Sequence, residues 1–175
     1  LAGIAGEGET RVHNIGHIDR GYEDYVGKLA SLGADIRGAG TDVIKIRGVE
    51  HLYGTTYGII PDQIEAGTYM AAALATGGDV LVKNVTPKHL ESITAKLEEM
   101  GATVEEYDDA VYVAANGRVH HCNVSTMPHP GFPTDMQPQF GVLLALADGT
   151  SIINEGVWEN RFWYCEELRR MGAQV

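Results

Sequence analysis

An α+β fold in which one unit is written three times is the architecture this sequence predicts, on three observations. Three stretches share one pattern: GEGETRVHN with HIDRGYEDYVGKLASLGADI, TGGDVLVKN with TPKHLESITAKLEEMGATV, and ADGTSIINE with WENRFWYCEELRRMGAQV. Their landmarks are evenly spaced, since Gly8, Gly78 and Gly149 fall 70 and 71 residues apart and the Gly-Ala pairs begin at Gly33, Gly101 and Gly172. Apolar residues at helical spacing alternate with short β-branched runs. A repeat of this length means that each unit needs its neighbours to bury a core, and differences between the copies are where chemistry is expected.

Each full unit reads helix, strand, helix, strand, strand, and the middle copy is complete. Asp62 to Ala75 (DQIEAGTYMAAALA) is an apolar helix that Gly77-Gly78 ends. Asp79 to Asn84 is a strand with β-branched Val80 and Val82. Thr86 caps the next helix, and Pro87 sits in its first turn, where a missing N–H costs nothing. Leu90, Ile93, Leu97 and Met100 then recur as one buried stripe, with Lys96, Glu98 and Glu99 outside. Strands at Thr103–Tyr107 and Ala110–Ala114 follow, joined by Asp108 and Asp109. The helices entered near Asp62 and Asp135 are apolar around their circumference, which predicts that both are buried centrally. The first copy lacks most of its leading helix and the last stops at Val175, so three full units would need about 35 more residues.

The 175 residues suffice for one well-buried domain, expected over 1–175. With 44% hydrophobic and 21% charged residues the balance is globular, and no apolar run reaches the ~20 residues of a membrane span. The chain opens mid-pattern with LAGIAGEGE and no basic flank, so no signal peptide is expected. A formal charge of −11 argues against nucleic acid while leaving room for a local basic pocket. Cys122 and Cys165 make no disulfide framework and predict a cytosolic protein with two buried thiols.

Three loops depart from a bland repeat. HIDRGYE (His17–Glu23) places Arg20 just after a strand at a helix start, where a guanidinium fork suits a carboxylate or phosphate; pairing with Asp19 or Glu23 is the plainer alternative. HPGFPTDMQPQ (His129–Gln139) is a stiff turn into a helix, with Asp135 at the entrance. That carboxylate reads either as a favourable charge at the helix N-terminus or as an acid/base group held by a stiff loop. GVWENRFW (Gly156–Trp163) carries Arg161 at the loop position that Arg20 holds in another copy, amid Trp158, Phe162 and Trp163, which are expected to pack. Two arginines and Asp135 suggest an anion site on one rim. His120, His121 and His129 lack a second ligand pair for a metal. Neither cysteine has an adjacent base, and GAGTD at Gly38–Asp42 lacks the lysine and following helix of a phosphate loop. No cofactor is expected.

At these residues the chain resembles the enolpyruvyl transferase family, and within it the UDP-N-acetylglucosamine 1-carboxyvinyltransferases. PDQIEAGTYMAAA, PGFPTDMQPQF, ENRFWYCEELRRMGA and HIDRGYEDYVGKLASLGADI carry the likeness over essentially the whole chain. The resemblance implies a two-domain bacterial cytoplasmic enzyme, each domain an inside-out α/β barrel of three βαβαββ units. It implies transfer of enolpyruvyl from phosphoenolpyruvate to the 3-hydroxyl of UDP-N-acetylglucosamine, the step that opens peptidoglycan synthesis. Carried over by motif, Asp135 matches the catalytic carboxylate and Arg20 an arginine gripping phosphoenolpyruvate. Arg161 matches another active-site arginine, and Val157 a backbone contact to the sugar nucleotide.

Two departures accompany the likeness. The family's loop cysteine, its Lys-Asn pair, its Asp-Leu-Arg motif and most nucleotide contacts are absent, so a missing second domain is an expected partner and the chain by itself is expected to lack turnover. In the family HIDRGYE follows ENRF, whereas here it precedes TDVIKIRGVEHL, so a permuted or fragmentary domain is expected. The rival readings are 3-phosphoshikimate enolpyruvyl transfer, which shares fold and reaction type but not PGFPTDMQ, and a non-catalytic folded module.

Overall fold

Two antiparallel three-stranded sheets share one strand order. The computed structural model describes residues 1–15, 23–39 and 41–175, and the chain forms two compact units, 1–60 and 61–175, each with its own core.

The first unit holds α1 (Ala2–Ala5), β1 (Glu9–His13), α2 (Glu23–Ser31), β2 (Asp35–Arg37) and β3 (Val43–Arg47). β3 lies between the other two strands, paired from Glu9↔Arg47 to His13↔Val43 on one side and from Asp35↔Arg47 to Arg37↔Lys45 on the other. The period-2 alternation of VIKIR turns Ile44 and Ile46 inward and leaves Lys45 and Arg47 outside. Ile4, Ile15, Val26, Leu29 and Ala34 complete this small core.

The second unit runs α3 (Gln63–Thr76), β4 (Asp79–Lys83), α4 (Glu91–Glu99), β5 (Thr103–Glu106), β6 (Ala110–Ala114), β7 (Val124–Ser125), α5 (Gln137–Leu146), β8 (Ile153–Asn154) and α6 (Tyr164–Arg170). The Asp62 carboxylate accepts from the Ile64 N–H at 2.8 Å and so caps α3. β6 lies between β4 and β5, repeating the order of the first sheet. β4 stops at Lys83, before Asn84, whose backbone turns left-handed at φ 56°. Thr86 precedes a single 3₁₀ turn at Pro87–His89 and makes no side-chain cap, so it opens this segment through backbone geometry alone. The stripe Leu90, Ile93, Leu97 and Met100 is buried throughout, while Glu98 and Glu99 face solvent.

α3 packs on α4, α5, β4 and β6, and its Gly67 lets Met136 and Ile93 approach: a Cβ there would meet the Met136 sulfur at 3.0 Å. The central burial expected for α3 and α5 holds for one face of each helix. Ala66, Met70, Ala71 and Leu74 of α3 are inside, with Phe140, Leu143 and Leu144 of α5. Tyr69 is 58% exposed, as are Val142 and Leu146 at 43% and 51%, so each helix leaves a second face open.

Leu97 has no exposed surface and Glu98 beside it is outside. Leu97→Ala is expected to lower unfolding free energy by about 2–5 kcal/mol, and Glu98→Ala to change it by about 0.5 kcal/mol or less, as read by urea titration.

Candidate active site at the entrance of α5

The site is assembled by the short parallel pairing of β7 with β8. Val124 and Ser125 lie opposite Ile153 and Asn154, and the Thr126 N–H donates to the Asn154 carbonyl at 2.9 Å. That register sets Thr126, the residue after β7, beside Glu155, the residue after β8. The chain then runs through a cis His129–Pro130 bond and returns at Phe132, which packs edge-on against Phe140 with centroids 4.7 Å apart. A 3₁₀ turn at Thr134–Met136 leads into α5. Burial of Thr134 at 2% and Met136 at 0% fixes the turn, so that Asp135 between them points outward with half its side chain exposed. Asp135 caps no backbone N–H at this helix entrance.

Asp135 instead meets Arg161, whose Nη2 donates to its Oδ1 at 2.7 Å. Arg161 Nη1 donates to the Thr134 hydroxyl at 3.0 Å, and that hydroxyl donates to Glu155 Oε2, also at 3.0 Å. The other Glu155 oxygen accepts from the Thr126 hydroxyl at 2.7 Å, the Val157 N–H at 2.9 Å and the Trp158 N–H at 3.0 Å. The Thr126 hydroxyl in turn accepts from the Gly156 N–H at 2.9 Å. A side chain at Gly156 has no room here, since a Cβ would lie 2.6 Å from the Thr126 carbonyl oxygen. Burial of Glu155 works to raise its pKa, but the donors from Thr126, Trp158, Val157 and Thr134 outweigh it and hold the carboxyl below its ordinary value.

Asp135 and Arg161, 26 positions apart in sequence, thus come together as an ion pair. Val157 is adjacent, its N–H engaged by Glu155. Arg20 lies outside the described residues. The aromatic residues do not pack as expected: Trp158 is 62% and Trp163 81% exposed, because the segment after β8 runs over the surface. Cys122 is buried, and burial, with a smaller push from Glu99, raises its thiol to about 11; Cys165 is only half-buried, so the pair of buried thiols reduces to one. His120 sits 3.4 Å from Asp148.

Glu155 is the residue that sequence reasoning passed over, although its signal was present. Counting six positions from Gly8, Gly78 and Gly149 reaches Asn14, Asn84 and Glu155. Asn14 and Asn84 both take left-handed backbones, at φ 57° and 56°. The third copy puts a carboxylate at the same place.

The family model described as EPSP synthase (3-phosphoshikimate 1-carboxyvinyltransferase) matches residues 28–175. The chain therefore belongs to the EPSP synthase family. It is similar to UDP-N-acetylglucosamine 1-carboxyvinyltransferase 3 of Caldanaerobacter subterraneus subsp. tengcongensis, 57% identical over all 175 residues, which span 42% of that protein. It is also similar to the UDP-N-acetylglucosamine 1-carboxyvinyltransferase of Clostridium botulinum, at 51% identity over the whole chain and 42% of the relative. Among solved structures, the enolpyruvyl transferase NikO from Streptomyces tendae superimposes with a TM-score of 0.80 at 28% identity, over 95% of this chain and 40% of that one. The chain thus spans about two fifths of the length of these relatives. The relatives align with it end to end in one stretch, so its segments stand in their order and the expected permutation is corrected.

The donors around Glu155 hold its carboxyl below its ordinary value, so its ionised form stabilises the native state at neutral pH and the gain disappears as acid protonates it. The stability difference between the wild type and Glu155→Gln is expected to shrink as pH falls from about 5 to about 3, measured by urea unfolding across that range.

Proposed function

We propose that this chain carries the sugar-nucleotide side of an enolpyruvyl transferase site, working on UDP-N-acetylglucosamine and phosphoenolpyruvate at the opening of peptidoglycan synthesis in the bacterial cytoplasm. The observation that carries the reading is the Asp135–Arg161 pair, formed by the PGFPTDMQ and ENRF segments at the entrance of α5. The names of the relatives at 51% and 57% identity support the acceptor.

In this reading Asp135 takes the proton of the sugar 3-hydroxyl as its oxygen bonds to C2 of phosphoenolpyruvate and C3 gains a proton. The tetrahedral adduct then loses phosphate from C2 and a proton from C3, restoring the double bond. Arg161 orients Asp135 and supplies a guanidinium beside the anionic reactants. Val157 lends backbone to the sugar nucleotide; its N–H is committed to Glu155, which leaves its carbonyl for that contact. Arg20, carried over by its HIDRGYE motif, would grip the phosphoenolpyruvate side in the same reading. A second domain outside these 175 residues supplies the rest of the site.

The finer fold belongs to the same proposal: an inside-out barrel of three βαβαββ units, with helices inside and sheets outside. The two sheets with one strand order support it. So do Gly33, Gly101 and Gly172, which end the second helix of each copy at φ 96°, 92° and 96°. The uncovered apolar stripe of α3 and α5 suits a third helix of the same kind.

The test is a chimera in which this chain replaces the matching 42% of the Caldanaerobacter relative. It is expected to release phosphate from phosphoenolpyruvate with UDP-N-acetylglucosamine and not with 3-phosphoshikimate. Asp135→Asn is expected to lower kcat about 10²–10⁴-fold with little change in Tm. Turnover with 3-phosphoshikimate only would overturn the acceptor. The isolated chain is expected to stay far below the ~1 s⁻¹ of an ordinary enzyme.

A further inference from the structure

We infer that Glu155 is the positioning residue of this site: its carboxylate orients the Thr134 hydroxyl, which anchors Arg161, which holds Asp135. The inference rests on the reading of Asp135 as the group that meets the acceptor hydroxyl.

Hydrogen-bond direction sets the order of this relay. A hydroxyl has a single proton. Thr134 spends its proton on Glu155 Oε2, which leaves its lone pairs for the Arg161 Nη1 donor at 3.0 Å. Arg161 is then fixed at one nitrogen and presents Nη2 to Asp135 at 2.7 Å. Glu155 can serve only as acceptor, and the three donors on its Oε1 keep it from rotating away. Thr126 and Thr134 are 1% and 2% exposed, so water does not compete for either hydroxyl.

A glutamine at 155 would keep its amide oxygen towards Thr126, Val157 and Trp158, where three donors demand an acceptor. Its NH₂ would then face Thr134, which would have donors on both sides and a buried proton with no acceptor. The hydroxyl would turn, Arg161 would lose its anchor and Asp135 its fixed partner. The repeat reinforces the point. Asn14 and Asn84, at the corresponding place, take a left-handed backbone, and only the copy that meets Asp135 carries a carboxylate there.

The test uses the same chimera with five variants. Glu155→Gln is expected to lower kcat about 10²-fold with KM for UDP-N-acetylglucosamine changed about twofold or less. Thr134→Val, which keeps the shape and removes the hydroxyl, is expected to fall alike, and Thr134→Ser to recover most of the loss. The double variant Glu155→Gln/Thr134→Val is expected to be no worse than the poorer single, because both cut one relay. If Asp135→Asn is crippled while Glu155→Gln and Thr134→Val stay within about twofold of wild type, the relay is overturned and the functional reading stands. An additive double variant also overturns the relay. If Asp135→Asn keeps full kcat, the functional reading fails and this inference with it. Should Glu155→Gln not fold, the contrast between Thr134→Ser and Thr134→Val decides, since equal losses in both would overturn it.

Discussion

The second unit depends on the burial of one face of α3. This helix touches α4, α5, β4 and β6, and the small residues Ala66, Gly67 and Ala71 let bulky neighbours close on it. Met70 and Leu74 from α3, Ile93 and Leu97 from α4, Val111 and Val113 from β6, and Phe140 and Leu143 from α5 meet in one core. Burying such side chains is worth roughly 1.5–3 kcal/mol each, far more than any exposed ion pair of this protein can return. Packing therefore decides where the polar groups go. Met136 is pulled into the core, and the carboxylate before it in sequence is turned to the outside.

The polar site hangs on that apolar frame through a very short sheet. Two residues of β7 and two of β8 are enough to bring Thr126 against Glu155, and Glu155 then gathers donors from both sides of the loop. Its network joins the GFPTD turn to the segment 155–161, two stretches 20 positions apart in sequence. Half-exposed Asp135 and largely covered Arg161 are the accessible end of this network. A pair so placed contributes little to stability, since solvent screens it. Its value lies in geometry, because acid–base chemistry needs a carboxylate that stays where the hydroxyl arrives.

Much of this was legible in the sequence. The spacing of Leu90, Ile93, Leu97 and Met100 read out the buried stripe of α4, and β-branched Val80 and Val82 marked β4 within a residue of its end. The stiff proline-rich turn announced Asp135, and the repeat announced Arg161. What the sequence hid depends on tertiary context. Apolar circumference predicted central burial for α3 and α5, but burial also needs neighbours on every side, and Tyr69, Val142 and Leu146 stay 58%, 43% and 51% exposed. Trp158 and Trp163 look like core by composition and lie outside because their segment crosses the surface. Glu155 was masked by its surroundings: beside Asn154 and before a glycine it reads as an ordinary loop charge, and only its alignment with Asn14 and Asn84 sets it apart.

The chemistry at Asp135 turns on where the acceptor hydroxyl sits. A crystal structure of the chimera with UDP-N-acetylglucosamine measures it directly. The account predicts the sugar 3-hydroxyl within hydrogen-bonding distance of the Asp135 carboxylate, about 2.5–3.0 Å between oxygens, with Arg161 still on Thr134. A sugar bound with that hydroxyl beyond the reach of Asp135, or a nucleotide seated away from the entrance of α5, would contradict it.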